Sequence, residues 1–427
     1  GCRIRAAPLG EGAAMTEELN AVPAESETPE TPEASAATAA PAAPTARGSF
    51  SASAKAASAA SGDNVLVRQW VTVPGGSMDA RMGTGLADRA GKELKASLGK
   101  PRLAVLASIA DAPADEVERI RRSLTDAGFL VEQTAFPAGD DALSLDAAKA
   151  ALDDLYRLGA TSGDGLVVVG DTGALSLASF VAKSWCNGIS LMEYPLDLRA
   201  ALEGSCSPLG FTVGEHPEMF MFPAATRYVY CDFDLMAPSV GGEEELFARA
   251  LMVCGAVADA EKAFAKLWDS IDGYLDGEPK ARAQVIGDAF RSRGRVISSS
   301  AAVTRDSLNY GRTFLRAMRP LFSADVPSST LYAEGMRFAS RLAAGNGDFA
   351  VDDVLAIDEM LDAFELGYVE EVPFEAEEMA AAIKAECFRR TNKFQMYTPK
   401  SFGRVRLMSI TDEMLAEHTE AWVESRS

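Results

Sequence analysis

An α/β nucleotide-fold-like N-terminal domain followed by an all-α C-terminal domain is the fold class this sequence predicts, and three observations predict it. Between about Asn64 and Asp234, short aliphatic runs alternate with amphipathic stretches. After Pro238 the strand signals almost vanish and helical periodicity takes over. The chain has 427 residues, 48% of them apolar, enough to bury one large core or two ordinary ones.

Taken in order, the segment from Val22 to Gly62 is built from Ala, Pro, Ser, Thr and Glu, with no Leu, Ile or Met. Such a segment cannot offset its ordering entropy by burial, so residues 1–62 are expected to be a disordered Ala/Pro/Ser-rich tail. A linker from a fused upstream domain is the alternative. Met15, opening MTEELNAV, reads as a more natural first residue than Gly1, and Gly1-Cys2 is not expected to be a processed lipoprotein end.

Residues 63–234 are read as the α/β domain. Its expected strands are Val65 to Val73, Arg102 to Ser108, Phe129 to Thr134, Leu166 to Val169 and Tyr228 to Asp232, short and rich in β-branched or aromatic residues. Between the second and third, Ala114 to Ala127 puts Val117, Ile120 and Leu124 on one face, and Gly128 stands where a helix stop belongs. Strand, helix, strand implies a parallel sheet covered by helices. Residues 235–427 are read as helical, with stretches at Glu243 to Leu275, Pro279 to Arg293, Arg305 to Leu321, Leu331 to Ala344, Val351 to Phe364 and Ala376 to Arg390. Strand character returns near Gly403 to Ile410, and no fixed-period repeat is visible.

Composition narrows the function classes. Lys plus Arg is 41 against 62 for Asp plus Glu, a formal net charge of −21. That balance disfavours nucleic acid and anionic membrane as partners. No apolar run is long enough to span a bilayer. Six cysteines without a CxxC pair read as ordinary thiols of a reducing, cytoplasmic setting. Only two histidines are present, His216 and His418, so a histidine-rich metal site is hard to assemble.

GDTGA at 170–174 follows a strand, the place for a phosphate-cradling turn, although it lacks a third glycine. Order and spacing say more. GDGLVVVGDTGALSLASFVAKSWCNGI at 163–189, YPLDLRAALEGSCSPLG at 194–210, EELFARALM at 244–252, RDSLNYGRTFLRAM at 305–318 and YAEGMRFASRLA at 332–343 occur in the order of segments of the 3-dehydroquinate synthases. From about Asn64 onward the chain resembles that family and the related sugar-phosphate cyclases.

The resemblance implies an NAD-type domain at 63–234, with NAD and a divalent metal as cofactors. It implies the NAD- and metal-dependent cyclisation of a seven-carbon phospho-sugar acid to 3-dehydroquinate with loss of phosphate. Gly170, Asp171, Thr172 and Gly173 then stand at the cofactor turn. Arg305, Asn309 and Arg293 stand at substrate-contacting positions, and Glu245 at the metal-binding glutamate. The two metal histidines fall on Arg312 and Ser328, and a phosphate-contacting histidine on Arg316. Family lysines fall on Leu143, Leu209 and Ala248, a helix aspartate on Ser176, and the arginine before Gly-Ile on Asn187. Arginine stays protonated and presents only donors, so Arg312 cannot replace an imidazole ligand.

Two functions follow as expectations. One is the family reaction. The other is a non-catalytic relative that binds an anionic ligand or a protein partner in the interdomain cleft. A small anionic phosphorylated ligand is the expected partner, with a homodimer left open. Arg305, Arg312, Arg316 and Arg319 recur at spacings of seven, four and three, which predicts a shared stripe on one helix. Arg312 and Arg316 are expected to bind an anion, with Arg312 paired to Glu245 in place of the metal. The bland reading of the stripe is a solvated basic face.

Overall fold

A computed structural model describes residues 65–74 and 76–426, so the expectations for a tail at 1–62 and for Met15 lie outside the described residues. β1 (Val65–Val73) and β2 (Gly76–Gly83) form an antiparallel hairpin. α1 (Ala90–Leu98) leads to β3 (Leu103–Ser108), α2 (Ala114–Asp126), β4 (Leu130–Ala135), α3 (Leu145–Arg157), β5 (Gly165–Gly170), α4 (Thr172–Ser184) and β6 (Ser190–Pro195). A π-helical turn at Ala200–Ser205 and a small hairpin, β7 (Phe211–Val213) and β8 (His216–Phe220), intervene before β9 (Tyr228–Asp232). The main sheet has seven strands in the order β1-β2-β9-β6-β5-β3-β4, parallel except for β1 with β2.

The rest is almost wholly helical. α5 (Phe233–Met236), α6 (Glu243–Asp259), α7 (Glu261–Trp268), α8 (Ile271–Leu275), α9 (Pro279–Ile297), α10 (Ala302–Arg305), α11 (Arg312–Met318), α12 (Ser328–Gly345), α13 (Val351–Ala363) and α14 (Ala376–Arg390) follow in turn. The hairpin β10 (Gln395–Ser401) and β11 (Arg404–Ser409) precedes the last helix, α15 (Asp412–Glu424). Among the described residues no helix is long and apolar enough to cross a membrane.

Several elements differ from the sequence expectation for identifiable reasons. β2, GSMDARMG, carries Asp79 and Arg81 into the core, where no strand pattern announces them. Arg81 is neutralised there by Asp79 at 2.8 Å and Glu93 at 2.6 Å. The helix expected at 243–275 breaks at Ala260, which is extended at φ −171° and ψ 155°. Gly403, in the β10–β11 turn, donates its N–H to Val257 O at 2.7 Å and so captures a carbonyl in the last turn of α6. The helix expected at 305–321 is three pieces: α10, a 3-10 turn at Asp306–Asn309, and α11 entered through Gly311 at φ +82°. Arg305 therefore does not share a helix with Arg312 and Arg316, which corrects the single-stripe expectation.

One contact fixes the helical half against the sheet. α9 lies on β1, and its Gly287 and Gly294 face the strand. A Cβ at Gly294 would lie 2.3 Å from Val71 Cγ1 and 2.9 Å from Thr72 O, so only glycine allows this approach. Val71, Met78 and Met82 of the first hairpin, Leu202 and Cys206, and helical residues such as Phe247, Leu251 and Phe290 form one continuous hydrophobic cluster.

Candidate functional site

The close seating of α9 carries Arg293, the neighbour of Gly294, to the wall of a cavity of about 460 Å³. Glu203, Ser207, Glu218, Arg305, Asn309 and Arg312 are among the other residues that line it. Four site residues expected from sequence, Arg293, Arg305, Asn309 and Arg312, thus meet in one place, and Arg316 joins them through Asn309 Oδ1 at 3.3 Å.

Arg293 is 2% exposed. Its guanidinium donates to Ser207 Oγ at 2.5 Å, Leu202 O at 3.2 Å and Leu251 O at 3.4 Å, all neutral acceptors. Room for its stem comes from Gly255 of α6, where a Cβ would sit 3.2 Å from Arg293 Cγ. A buried guanidinium with no carboxylate partner is costly unless an anion supplies the missing charge. Arg305 is exposed and donates to Ser299 O at 2.8 Å and Ser300 O at 3.0 Å.

Arg312 is held differently. Gly311, at φ +82°, lets α11 begin against α12, where Gly335 makes room for the Gly311 carbonyl. Arg312 Nη2 donates to Glu203 Oε1, and Arg312 Nη1 lies 3.6 Å from Glu218 Oε1. Arg316 Nη2 reaches Glu218 Oε2 at 2.5 Å. Arg199 donates to Glu203 Oε2 at 3.0 Å and to Glu244 Oε2 at 3.2 Å. Three guanidiniums, those of Arg199, Arg312 and Arg316, thus meet three carboxylates, those of Glu203, Glu218 and Glu244, while Arg293 keeps its neutral acceptors. Burial pushes the Glu203 carboxyl up, but Arg312 and Arg199 outweigh it and hold the group below its ordinary value.

Sequence reasoning missed Glu203, Glu218 and Arg199. The available signal was the four-residue spacing of Arg199 and Glu203 within YPLDLRAALEGSCSPLG. Glu218 had none, because the β7–β8 hairpin brings it to the helices over a long sequence distance.

The residues that the resemblance places at metal positions, Glu245, Arg312 and Ser328, have separate partners. Glu245 is buried and accepts from Tyr274 Oη at 2.7 Å, Arg282 Nη2 at 3.1 Å and Gly241 N at 2.8 Å. It lines a separate cavity of about 230 Å³ with Arg282, Leu198 and Phe233. The expected Arg312–Glu245 pair is therefore corrected. Arg312 takes Glu203 and Glu218, because the π-helical turn and the hairpin place those carboxylates directly before its guanidinium. Ser328 begins α12, and its neighbour Ser329 is tied to Glu243 at 2.6 Å. Among the described residues no group of three or more His, Cys, Asp or Glu could hold a metal ion. An arginine, a serine and a glutamate already satisfied elsewhere do not fit a divalent cation.

The turn at Gly170, Asp171, Thr172 and Gly173 links β5 to α4, and Thr172 packs against Gly204. Asp171 caps the helix, accepting from Ala174 N at 2.9 Å and from Gly139 N at 2.7 Å. A Cβ at Gly173 would fall 2.1 Å from Gly139 O, so the turn is covered by the Gly139 loop. A carboxylate occupies an N–H that a pyrophosphate would need, and this turn does not fit NAD.

No family model matches the chain. Among curated proteins it is similar to the 3-dehydroquinate synthase of Caulobacter vibrioides, 27% identical over 256 residues, 58% of this chain and 68% of that protein. The 3-dehydroquinate synthase of Corynebacterium jeikeium is 23% identical over 318 residues, 71% of this chain and 83% of that protein. Among solved structures, a 2-deoxy-scyllo-inosose synthase complexed with carbaglucose-6-phosphate, NAD+ and Co2+ has a TM-score of 0.69 at 14% identity, over 83% of this chain and 100% of that one. The 2-epi-5-epi-valiolone synthase of Streptomyces hygroscopicus, with NAD+ and Zn2+ bound, has a TM-score of 0.66 at 13% identity, over 82% and 97%.

Proposed function

We propose, for a chain that is a divergent relative of the 3-dehydroquinate synthases built on the sugar-phosphate cyclase fold, that its cleft binds a small phosphorylated anion without metal- and NAD-dependent cyclisation. The observation that carries this reading is Arg293, a buried guanidinium in the cavity wall whose partners are all neutral. A phosphoryl group brings the charge that Arg293 lacks and accepts the paired N–H bonds that a guanidinium fork offers. Arg305 and Asn309 at the same wall supply further donors. The phosphorylated sugar analogue bound by the inosose synthase supports this ligand class.

The cyclisation reading asks a cation to sit beside Arg312, whose own permanent charge is already engaged by Glu203 and Glu218. It also asks a pyrophosphate to sit on Asp171. A reducing, cytoplasmic setting is part of the proposal, supported by the free thiols Cys206, Cys231, Cys254 and Cys387, all buried. Incubating the purified chain with NAD, zinc or cobalt and the seven-carbon phospho-sugar acid tests the reading. No phosphate is expected to be released, while glucose 6-phosphate raises the melting temperature. Sustained phosphate release would overturn the proposal in favour of the family reaction.

A further inference from the structure

Glu218 is held in a way its strand does not require. Its backbone sits at φ +56°, a region unfavourable to a residue with a Cβ. Arg390 grips the local carbonyls, donating to Glu218 O at 2.8 Å and Pro217 O at 2.7 Å. The side chain is 14% exposed and points its carboxylate at Arg316 and Arg312. Its neighbours Met219 and Met221 are exposed; Arg312, Arg316 and Arg390 tie Glu218 itself to the helices, and Phe220 packs edge-on against Phe180 of α4. The bound carboxylate has the chemistry of a ligand anion: two oxygens, one on each guanidinium.

We infer that Glu218 is an internal anion that occupies the Arg312–Arg316 pair, and that a phosphorylated ligand entering the cleft displaces it and releases the β7–β8 hairpin. This rests on the cleft being an anion site. Burial alone pushes the Glu218 carboxyl up, but Arg316 and Arg312 outweigh it and hold the group down at about 2. The competitor is therefore charged at every working pH. The left-handed backbone favours release, since a freed Glu218 returns to ordinary φ. A ligand must then outcompete a tethered carboxylate, and its apparent affinity is lowered by the fraction of molecules in which the pair is filled.

The test is calorimetric titration of the full chain with glucose 6-phosphate, and with inorganic phosphate alone, for the wild type, Glu218→Gln and Glu218→Gly. Glycine accepts φ +56° without strain, so the second variant guards against a folding defect in the first. Both variants are expected to bind glucose 6-phosphate more tightly by on the order of tenfold. In the wild type, chymotryptic cleavage after Phe220 is expected to accelerate as glucose 6-phosphate is added. Equal or weaker binding by folded variants, or cleavage indifferent to the probe, overturns the internal anion and leaves the anion-site reading standing. Absence of binding in wild type and both variants removes that reading, and this inference with it.

Discussion

Arg312 shows most clearly how one side chain changes the meaning of a site. The guanidinium of Arg312 is buried between Glu203 and Glu218, with Glu203 the leading counter-charge. Arg312→Ala is expected to cost about 3–5 kcal/mol in chemical denaturation, because it leaves Glu203 buried with less compensation. Adding Glu203→Gln should recover part of that loss, and a double-mutant cycle showing strict additivity would contradict the pairing. Arg312→His alone should bind no zinc by elemental analysis, since Glu245 and Ser328 do not come to meet it. That an arginine stands at position 312, where the resemblance implies a metal histidine, was legible in RDSLNYGRTFLRAM. Its partners were not, because ion pairing across the fold leaves no local periodicity. Glu193 makes a second residue-scale prediction. It is fully buried in β6 with Thr226 Oγ1 at 2.9 Å and is pushed up to about 8 by burial, against Ser205 and Thr226. The native state thus keeps a proton that the unfolded chain releases near the ordinary carboxylate value, so stability falls as pH rises from about 5 to 8. Asp197, pushed up to about 7 by burial, acts in the same direction. Glu193→Gln should flatten part of that slope and stabilise the protein at pH 8 by on the order of a few kcal/mol. Unchanged pH dependence of the melting temperature would refute it.

At the scale of elements, the strands β1, β3, β4, β5 and β9 and the helices α2 and α14 follow from apolar period and stop residues alone. β6 was not anticipated, because SLMEYP places Glu193 in a buried run and reads as a polar connection. The break at Ala260 is imposed by Gly403, far along the chain, in a stretch whose own propensity is helical. α9 is the element on which the site depends. Gly294→Ala would press a methyl group into Val71 and the Thr72 carbonyl. It is expected to cost about 1–3 kcal/mol by thermal denaturation and to weaken glucose 6-phosphate binding by shifting Arg293, although no charge changes. Wild-type affinity in that variant would mean that Arg293 does not depend on how α9 is seated.

For the whole molecule, the acidic balance and the arginine-lined cleft are complementary facts. A chain of net charge −21 gathers the guanidiniums of Arg293, Arg305 and Arg312 at one cavity beside the carboxylates of Glu203, Glu218 and Asp306, and Arg293 is buried there with neutral hydrogen-bond partners only. The sheet and the helical half share one core, so the walls that carry Arg293 and Arg312 are fixed relative to each other. That arrangement suits ligand recognition by preformed donors. The fold class was readable from composition and periodicity, since both report burial, which is a local property of each segment. The cleft's charge arithmetic was not, since it depends on which arginines find carboxylates after folding. The measurement that bears most directly on the account is calorimetric titration of chelator-treated protein with glucose 6-phosphate, wild type beside Arg293→Ala. Saturable binding that is unaffected by chelator and lost in Arg293→Ala is the predicted result. Binding that requires added zinc or cobalt and NAD, or that survives the loss of Arg293, would contradict it.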